Sequence, residues 1–528
     1  MRIAVEGCCH GQLDDIYRAI EDRERQHGYK VDLLLICGDF QSIRNEADLE
    51  AIACPRKYLH LGTFHKYYSG ERKVPVPTVF IGGNHEASNY LWELYHGGWV
   101  CPGIYFLGFG GVINVGGLRI GGMSGIFNAK HYETGHFEVT PFNDNHKRSV
   151  YHVRHYDVLK MIQVKESMDV FLSHDWPLGI EQYGNVKWLL QTKRFFEKEV
   201  QNNTLGSPAY ETVLSALRPA HWFSAHLHVR YPAEILWGDE RTQHPQGASQ
   251  SQSAAAQPPA VVLAAVKNPD EIEIDLDDED GEENGGKTAD AAVIEKIKNP
   301  DEIEIDDLDD EGENDSETPS SEEVNTTTEA KKPEAAASNP DEIQIEMDDE
   351  SEGEDANGVS SKSKEEAPQQ TSNFANAPSR PRPTSTKFLA LDKCLPNRRF
   401  LEIIELPEIQ CEGSPQFSYD EEWLAIVRTM DPFLSLEHRQ RKALQGARLA
   451  HALEVNREWV KNNITLKRGL HIPENFQQTA PAHDAIQTMG LQEKRDATLP
   501  FLNPQTQEFC DMMQITNKIN PYGRRAQE

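Results

Sequence analysis

Residues 80–91 read FIGGNHEASNYL, and the placing of polar groups in this stretch decides how the N-terminal half is organised. A short apolar run, VPTVFIGG (76–83), is followed at once by Asn84, His85 and Glu86, so the reactive side chains stand just past the C-terminal end of a strand. The same arrangement recurs four times. MRIAV (1–5) leads to Cys8-Cys9-His10, VDLLLICG (31–38) to Asp39, MDVFLS (168–173) to His174-Asp175, and HWFSA (221–225) to His226-Leu227-His228. Such short β-branched or aromatic runs read as buried strands. Between them lies helical text such as QLDDIYRAIEDRERQHG (12–28), where Leu13, Ile16, Tyr17 and Ile20 keep a 3/4 spacing and Gly28 offers a stop. Residues 1–238 are therefore expected to form a layered α/β or α+β domain. At the C-terminal edge of its strands, side chains from separate segments converge on a ligand.

The chain has 528 residues, of which 38% are hydrophobic, enough to fill cores in only part of it. Residues 267–355 hold 36 acidic against 6 basic side chains and so supply nearly all of the net charge of −32. The remainder is almost balanced, which leaves room for a local basic patch that binds a polyanion. The eight cysteines follow no framework spacing, no signal-peptide pattern opens the chain, and no apolar stretch approaches the roughly 18 residues needed to span a bilayer. A soluble protein of the cytosol or nucleus with reduced thiols is expected.

From 239 to 385 the composition turns to Ser, Gln, Ala, Pro, Asp and Glu with almost no aromatics, the signature of a disordered insert. It contains a repeat: KNPDEIEIDLDDED (267–280), KNPDEIEIDDLDDE (298–311) and SNPDEIQIEMDDES (338–351). One reading is a solvating acidic tract. Another is that each Ile-x-Ile adds a strand to a partner's sheet edge while the acids meet a basic rim, as a SUMO-like protein would offer. Beyond the insert, TKFLALDKC and RFLEIIELPE read as two strands, too few for a sheet of their own, so residues 386–410 are expected to rejoin the first domain. Residues 411–528 read as a small α-rich C-terminal domain, with YDEEWLAIVRTM and EHRQRKALQGARLAHALEVNREWVKNN as its helices.

The five strand-end motifs occur in the order Cys-x-His, Gly-Asp, Gly-Asn-His, His, His-x-His, and so the chain resembles the calcineurin-like metallophosphoesterases at every element but the first, where that family has Asp-x-His. Cys at the first motif, with VEGCCHGQLD, ICGDFQSIRN, SGIFNAKHYETGHFE, RSVYHVRHYDVLK, FLSHDWPLGI, SAHLHV and TKFLALDKCLP, resembles one branch, the RNA lariat debranching enzymes. The resemblance implies an α/β metallophosphoesterase β-sandwich flanked by helices. It implies two divalent metals bridged by Asp39, with His10 and His228 on one and Asn84, His174 and His226 on the other, and Cys8 as an unusual ligand at the first. His85 is then the acid for the leaving oxygen. Fe(2+) and Zn(2+) are the expected metals, with Mn(2+) as a substitute, since imidazole, carboxylate and amide oxygen suit them. The implied reaction is hydrolysis of the 2′-5′ branch-point phosphodiester of excised introns, in the nucleus, alongside splicing-associated proteins.

Residues 126–158 then stand where a lariat recognition loop is expected. The bases and aromatics there suit single-stranded RNA, and His131, Tyr132, His136, Arg148 and Arg154 are the expected contacts. Two other readings compete: a phosphoesterase acting on linear RNA or as a phosphatase, and an inactive fold that recruits partners through the acidic repeats. Period alone turns Cys8 and His10 to one side and Cys9 to the other. An accessible Cys8 thiol beside a metal would also be open to reversible oxidation.

Overall fold

The computed structural model describes residues 1–238, 381–411 and 413–524; the acidic insert from 239 to 380, with its three repeats and its expected disorder, lies outside the described residues. Thirteen strands follow in chain order: β1 Arg2–Glu6, β2 Leu33–Ile36, β3 Thr78–Phe80, β4 Gly98–Cys101, β5 Ile104–Phe106, β6 Gly110–Val115, β7 Leu118–Met123, β8 Val170–Ser173, β9 His221–Ser224, β10 Tyr231–Leu236, β11 Ser385–Ala390, β12 Leu401–Glu405 and β13 Phe417–Tyr419. They form two mixed sheets, β12-β1-β2-β3-β5-β4 and β10-β11-β9-β8-β7-β6-β13. Within them β1, β2, β3 and β5 run parallel, as do β7, β8, β9 and β11.

The two sheets pack face to face because their strands alternate side chains between two apolar layers. Ile3, Val5, Leu33, Leu35 and Val79 of the first sheet meet Ile120, Val170, Leu172, Phe223 and Leu389 of the second. The opposite face of the first sheet, with Ala4, Leu34, Ile36 and Phe80, is covered by the helix Leu13–His27 through Leu13, Ile16, Tyr17 and Ile20. Burying each of those aliphatic side chains contributes about 1.5–3 kcal/mol. Gly28 ends that helix in the left-handed region at φ 71°, its N–H returning to the Glu24 carbonyl.

Strands β11 and β12 lie beyond the insert and belong to different sheets: β11 inserts between β9 and β10, and β12 pairs antiparallel with β1. Residues 413–524 fall in one compact unit with the sandwich. The reason is shared core. β13 extends the second sheet beside β6, and Leu424, Ile426, Val427 and Met430 enter the apolar cluster that holds Phe171 and Trp222. Arg119 of β7, buried, seals the join by pairing with Asp420 at 2.8 Å and Glu422 at 3.1 Å. The second expected helix begins only at Gly446. The preceding residues are drawn out beside the segment at 134–136, where Gly135 N–H donates to the His438 carbonyl and His136 N–H to that of Ser435.

Candidate metal centre

The turns after β1, β2, β3, β8 and β9 meet at one end of the sandwich, with Asp39 in the middle. Its Oδ2 lies 3.6 Å from His10 Nε2, its Oδ1 lies 3.4 Å from His174 Nε2, and Oδ1 also accepts the His85 backbone N–H at 2.8 Å. His174 Nε2 is 3.1 Å from Asn84 Oδ1, and His10 Nε2 is 3.4 Å from His228 Nε2. The ligand atoms of Cys8, His10 and His228 lie within 4.8 Å of one another, as do those of Cys8, Asp39 and His174. The His226 ring centroid is 5.0 Å from that of His174, and its backbone N–H donates to Cys8 Sγ at 3.1 Å. All eight predicted site residues outside the RNA segment are thus brought to one place.

The backbone there is bent sharply. His10, Asp39, His226 and His228 all have φ between 45° and 61°, in the left-handed region that costs a non-glycine residue of order 1–3 kcal/mol. Two glycines make the approach possible. A Cβ on Gly83 would stand 2.2 Å from Asp39 Oδ1, and one on Gly38 would stand 2.3 Å from His174 Nδ1. Buried Glu86 ties two of the turns together, accepting from Phe40 N–H at 2.8 Å, Gln41 N–H at 2.8 Å and Gly83 N–H at 2.9 Å. Sequence reading assigned Glu86 and these glycines no task, although they sit within the motifs; a carboxylate in a Gly-Asn-His-Glu turn was the available signal.

The two sides of the centre differ. His174 is fully buried and donates from Nδ1 to the Cys37 carbonyl at 2.8 Å, which fixes the tautomer and frees Nε2 to ligate. His10 and His228 are half-buried. Burial pushes the Asp39 carboxyl up, but His174 and His85 outweigh it and hold the group well below the usual carboxylate range. Burial also brings His10 and His226 down to about 4, so at neutral pH both rings are in the neutral, ligating form. Burial lowers His174 too, but Asp39 and the hydrogen bond to the Cys37 carbonyl outweigh it and raise that ring instead. The set of ionised carboxylate, imidazoles and amide oxygen fits divalent cations.

Cys8 behaves differently from expectation. Its side chain faces the layer between the sheets and Cys9 the opposite face, as the period implied, but Cys8 is 0% exposed. Burial, reinforced by Asp39 and Glu6, pushes its thiol well up, and the group is enclosed. The expected accessible, oxidation-prone thiol is therefore not what the structure presents. His85 is half-buried, and its Nδ1 donates to the Ala53 carbonyl at 3.1 Å, leaving Nε2 as the nitrogen available for proton exchange.

The segment 126–158 is rooted beside the centre. Gly125 N–H donates to the Gly82 carbonyl at 2.9 Å, and the Asp175 carboxylate accepts from Phe127 N–H. Two of its five expected RNA contacts are corrected. His136 is buried among the Trp92, Tyr95 and Phe109 rings with Nε2 2.8 Å from Asp157 Oδ2. Arg154 is 0% exposed and pairs with Glu138 while donating to the Gly135, Ser149 and His152 carbonyls. The Arg154 guanidinium and His136 Nε2 are spent on holding the segment's own fold. His131, Tyr132 and Arg148 stay half-buried, with His131 stacked on His152 and Tyr132 on His155.

Comparison with known proteins agrees with this geometry. Residues 1–230 match the family model for calcineurin-like phosphoesterases, and residues 383–518 that for the lariat debranching enzyme C-terminal domain. The chain is 38% identical over 512 residues to the lariat debranching enzyme of Schizosaccharomyces pombe, covering 96% of this chain and 95% of the relative. It is 36% identical over 516 residues to that of Arabidopsis thaliana, covering 97% and 86%, and 36% identical over 531 residues to that of Homo sapiens, covering 100% and 71%. A chain that carries both family regions, over nearly its whole length, around a centre of carboxylate and imidazole donors belongs to the lariat debranching enzyme family.

Proposed function

We propose that this chain hydrolyses the 2′-5′ phosphodiester at the branch point of lariat RNA. The observation that carries the reading is the convergence of Asp39 with His10, His228, His174 and Asn84 at one end of the sandwich, in a chain of this family. Asp39 would stand between two divalent metals, with His10 and His228 on one side and Asn84, His174 and His226 on the other. When bound, such metals polarise phosphoryl oxygens and activate the attacking water. Fe(2+) and Zn(2+) are the proposed pair, with Mn(2+) as substitute; the half-exposed side beside Cys8 is proposed as the more selective one, since a soft sulfur disfavours Mg(2+) and Mn(2+). Metal analysis of the purified chain checks this, and a preparation active with Mg(2+) alone would overturn it.

The chain's own residues supply positioning and proton transfer. As the new phosphorus–oxygen bond forms, the bond to the departing ribose oxygen breaks, and His85 gives that oxygen a proton from Nε2. The Ala53 carbonyl holds the ring for this step, and the Asp39 carboxylate holds the His85 backbone. His131, Tyr132 and Arg148 are proposed to grip RNA beside the centre. The test is turnover of a 2′-5′ branched RNA against a linear 3′-5′ RNA of the same sequence. The branched substrate is expected to be cleaved preferentially; preference for the linear one would overturn the reading.

A nuclear location is proposed with this activity, as are splicing-associated partners. The repeats support a SUMO-like partner through their Ile-x-Ile cores and acidic flanks. Titrating a peptide of residues 298–311 into such a protein checks the last point, and no binding at millimolar peptide would sink it.

A further inference from the structure

On the side of the centre lined by His10 and His228 lies a group of cations and aromatics that the reaction as described does not use. Lys393 is one of them, its backbone bridged to that of Cys8. The turn that carries it is bound to the first motif, with Cys394 N–H donating to the Cys8 carbonyl at 3.1 Å. Lys393 is half-buried, and its charge adds to the burial that holds the His10 and His228 rings neutral. The next residue back, Asp392, is pushed up by burial against the hydrogen bond from the Lys393 N–H and the pull of Arg398 and Lys193. Lys193 Nζ is in turn 5.7 Å from the centroid of the Phe195 ring.

Two aromatic side chains in this region are left to solvent. Phe195 is 56% exposed and Trp188 41% exposed. Trp188 sits in the short helix Val186–Thr192, its ring 6.4 Å from Tyr231 and close to parallel with it, and Tyr231 is only three residues past His228. Lys187 and Arg194 flank these rings, both exposed. Among the described residues no carboxylate pairs with Lys187, Arg194 or Lys393. A single exposed aromatic is ordinary on a protein surface. Two of them interleaved with Lys187 and Arg194, and joined through Trp188 and Tyr231 to the strand that follows His228, form the pattern that binds single-stranded nucleic acid, with cations on phosphates and rings under bases.

We propose that Lys393 and the 187–195 segment form a second RNA-binding strip, which takes one single-stranded arm of the branched substrate as it leaves the centre past His10 and His228. The segment 126–158 is rooted instead at Gly82 and Asp175, so the two regions hold different arms of one branched molecule. This rests on the branched-RNA reading for the identity of the substrate, but single-stranded RNA binding by the strip can be measured without any cleavage.

Two double variants of the full chain, Lys187→Gln with Arg194→Gln and Trp188→Ala with Phe195→Ala, separate the charges from the rings. All four side chains are exposed, so the fold is expected to be retained and checked by urea unfolding. With a fluorescent unbranched RNA of about 12 nucleotides, within the usual reach of such surfaces, the charge variant is expected to flatten the slope of log Kd against log salt by about 1.4, since each lost single-strand phosphate contact is worth about 0.7. The ring variant is expected to bind more weakly by roughly thirtyfold or more, with the slope unchanged. In turnover, KM for a branched RNA with long arms should rise with kcat unchanged, while a minimal branched trinucleotide is cleaved as by the parent. Unaltered RNA affinity in both variants, or equal losses on the armed and minimal substrates, would overturn the strip. A parent chain that fails to cleave branched RNA yet shows these binding changes would instead remove the branched-substrate reading and leave the strip standing.

Discussion

The metal centre and the segment at 126–158 use the same kinds of side chain in opposite ways. At the centre, His10, His228 and Asp39 are fixed by left-handed backbone turns and His85 by its Nδ1 on the Ala53 carbonyl, so their remaining polar atoms point at one another and at whatever enters. In the segment, the Arg154 guanidinium and His136 Nε2 are spent inward, on Glu138, three carbonyls and Asp157, and hold the segment in shape. Chemistry written in the same letters is reactive where the backbone carries the folding burden. It is structural where the side chain does.

This difference can be broken by experiment. The largest effect is expected for His85→Ala, which should lower kcat on branched RNA by about 10²–10⁴-fold with an unchanged urea midpoint, as for loss of a general acid. Full activity would remove His85 from the proton transfer. Arg154→Ala should do the reverse, costing about 3–5 kcal/mol of stability because Glu138 is left buried and unpaired. An Arg154→Ala chain of parental stability but weakened RNA binding would return Arg154 to the RNA contacts.

A smaller effect is expected from acid. Burial pushes the Asp157 carboxyl up, but Lys160 and His136 outweigh it and hold the group below the usual carboxylate range. A carboxyl depressed in the fold contributes stability above its unfolded pKa and loses it as the pH falls below that value. Asp157→Asn should therefore be less stable than the parent at pH 7 and lose less stability between about pH 4 and pH 2. Parallel acid profiles for the two chains would show that Asp157 carries no such charge in the fold.

The same difference explains what sequence could reveal. A residue one to four positions past a buried strand has its place set by the sheet, and the apolar runs announce the sheet, so the positions of His10, Asp39, Asn84, His174 and His228 were legible. Inside a loop, no periodicity says which way a side chain turns. His136 and Arg154 therefore looked like their exposed neighbours until the Trp92, Tyr95 and Phe109 rings and Glu138 were seen around them. Similarly, the burial of Cys8 depends on two sheets closing over it, and the union of residues 413–524 with the sandwich depends on β13 and the Arg119 pairs, contacts hundreds of residues apart in sequence.

One pairing has a practical consequence. Leu236 and Ser385 stand opposite each other at the last rung of the antiparallel β10–β11 ladder, while the other end of that ladder, Tyr231 with Ala390, lies toward the centre. The two chain ends that bracket residues 239–380 are thus already clamped about one strand spacing apart. The chain that joins them can therefore differ in length at an entropic cost that grows only slowly, with the β10–β11 ladder kept in register.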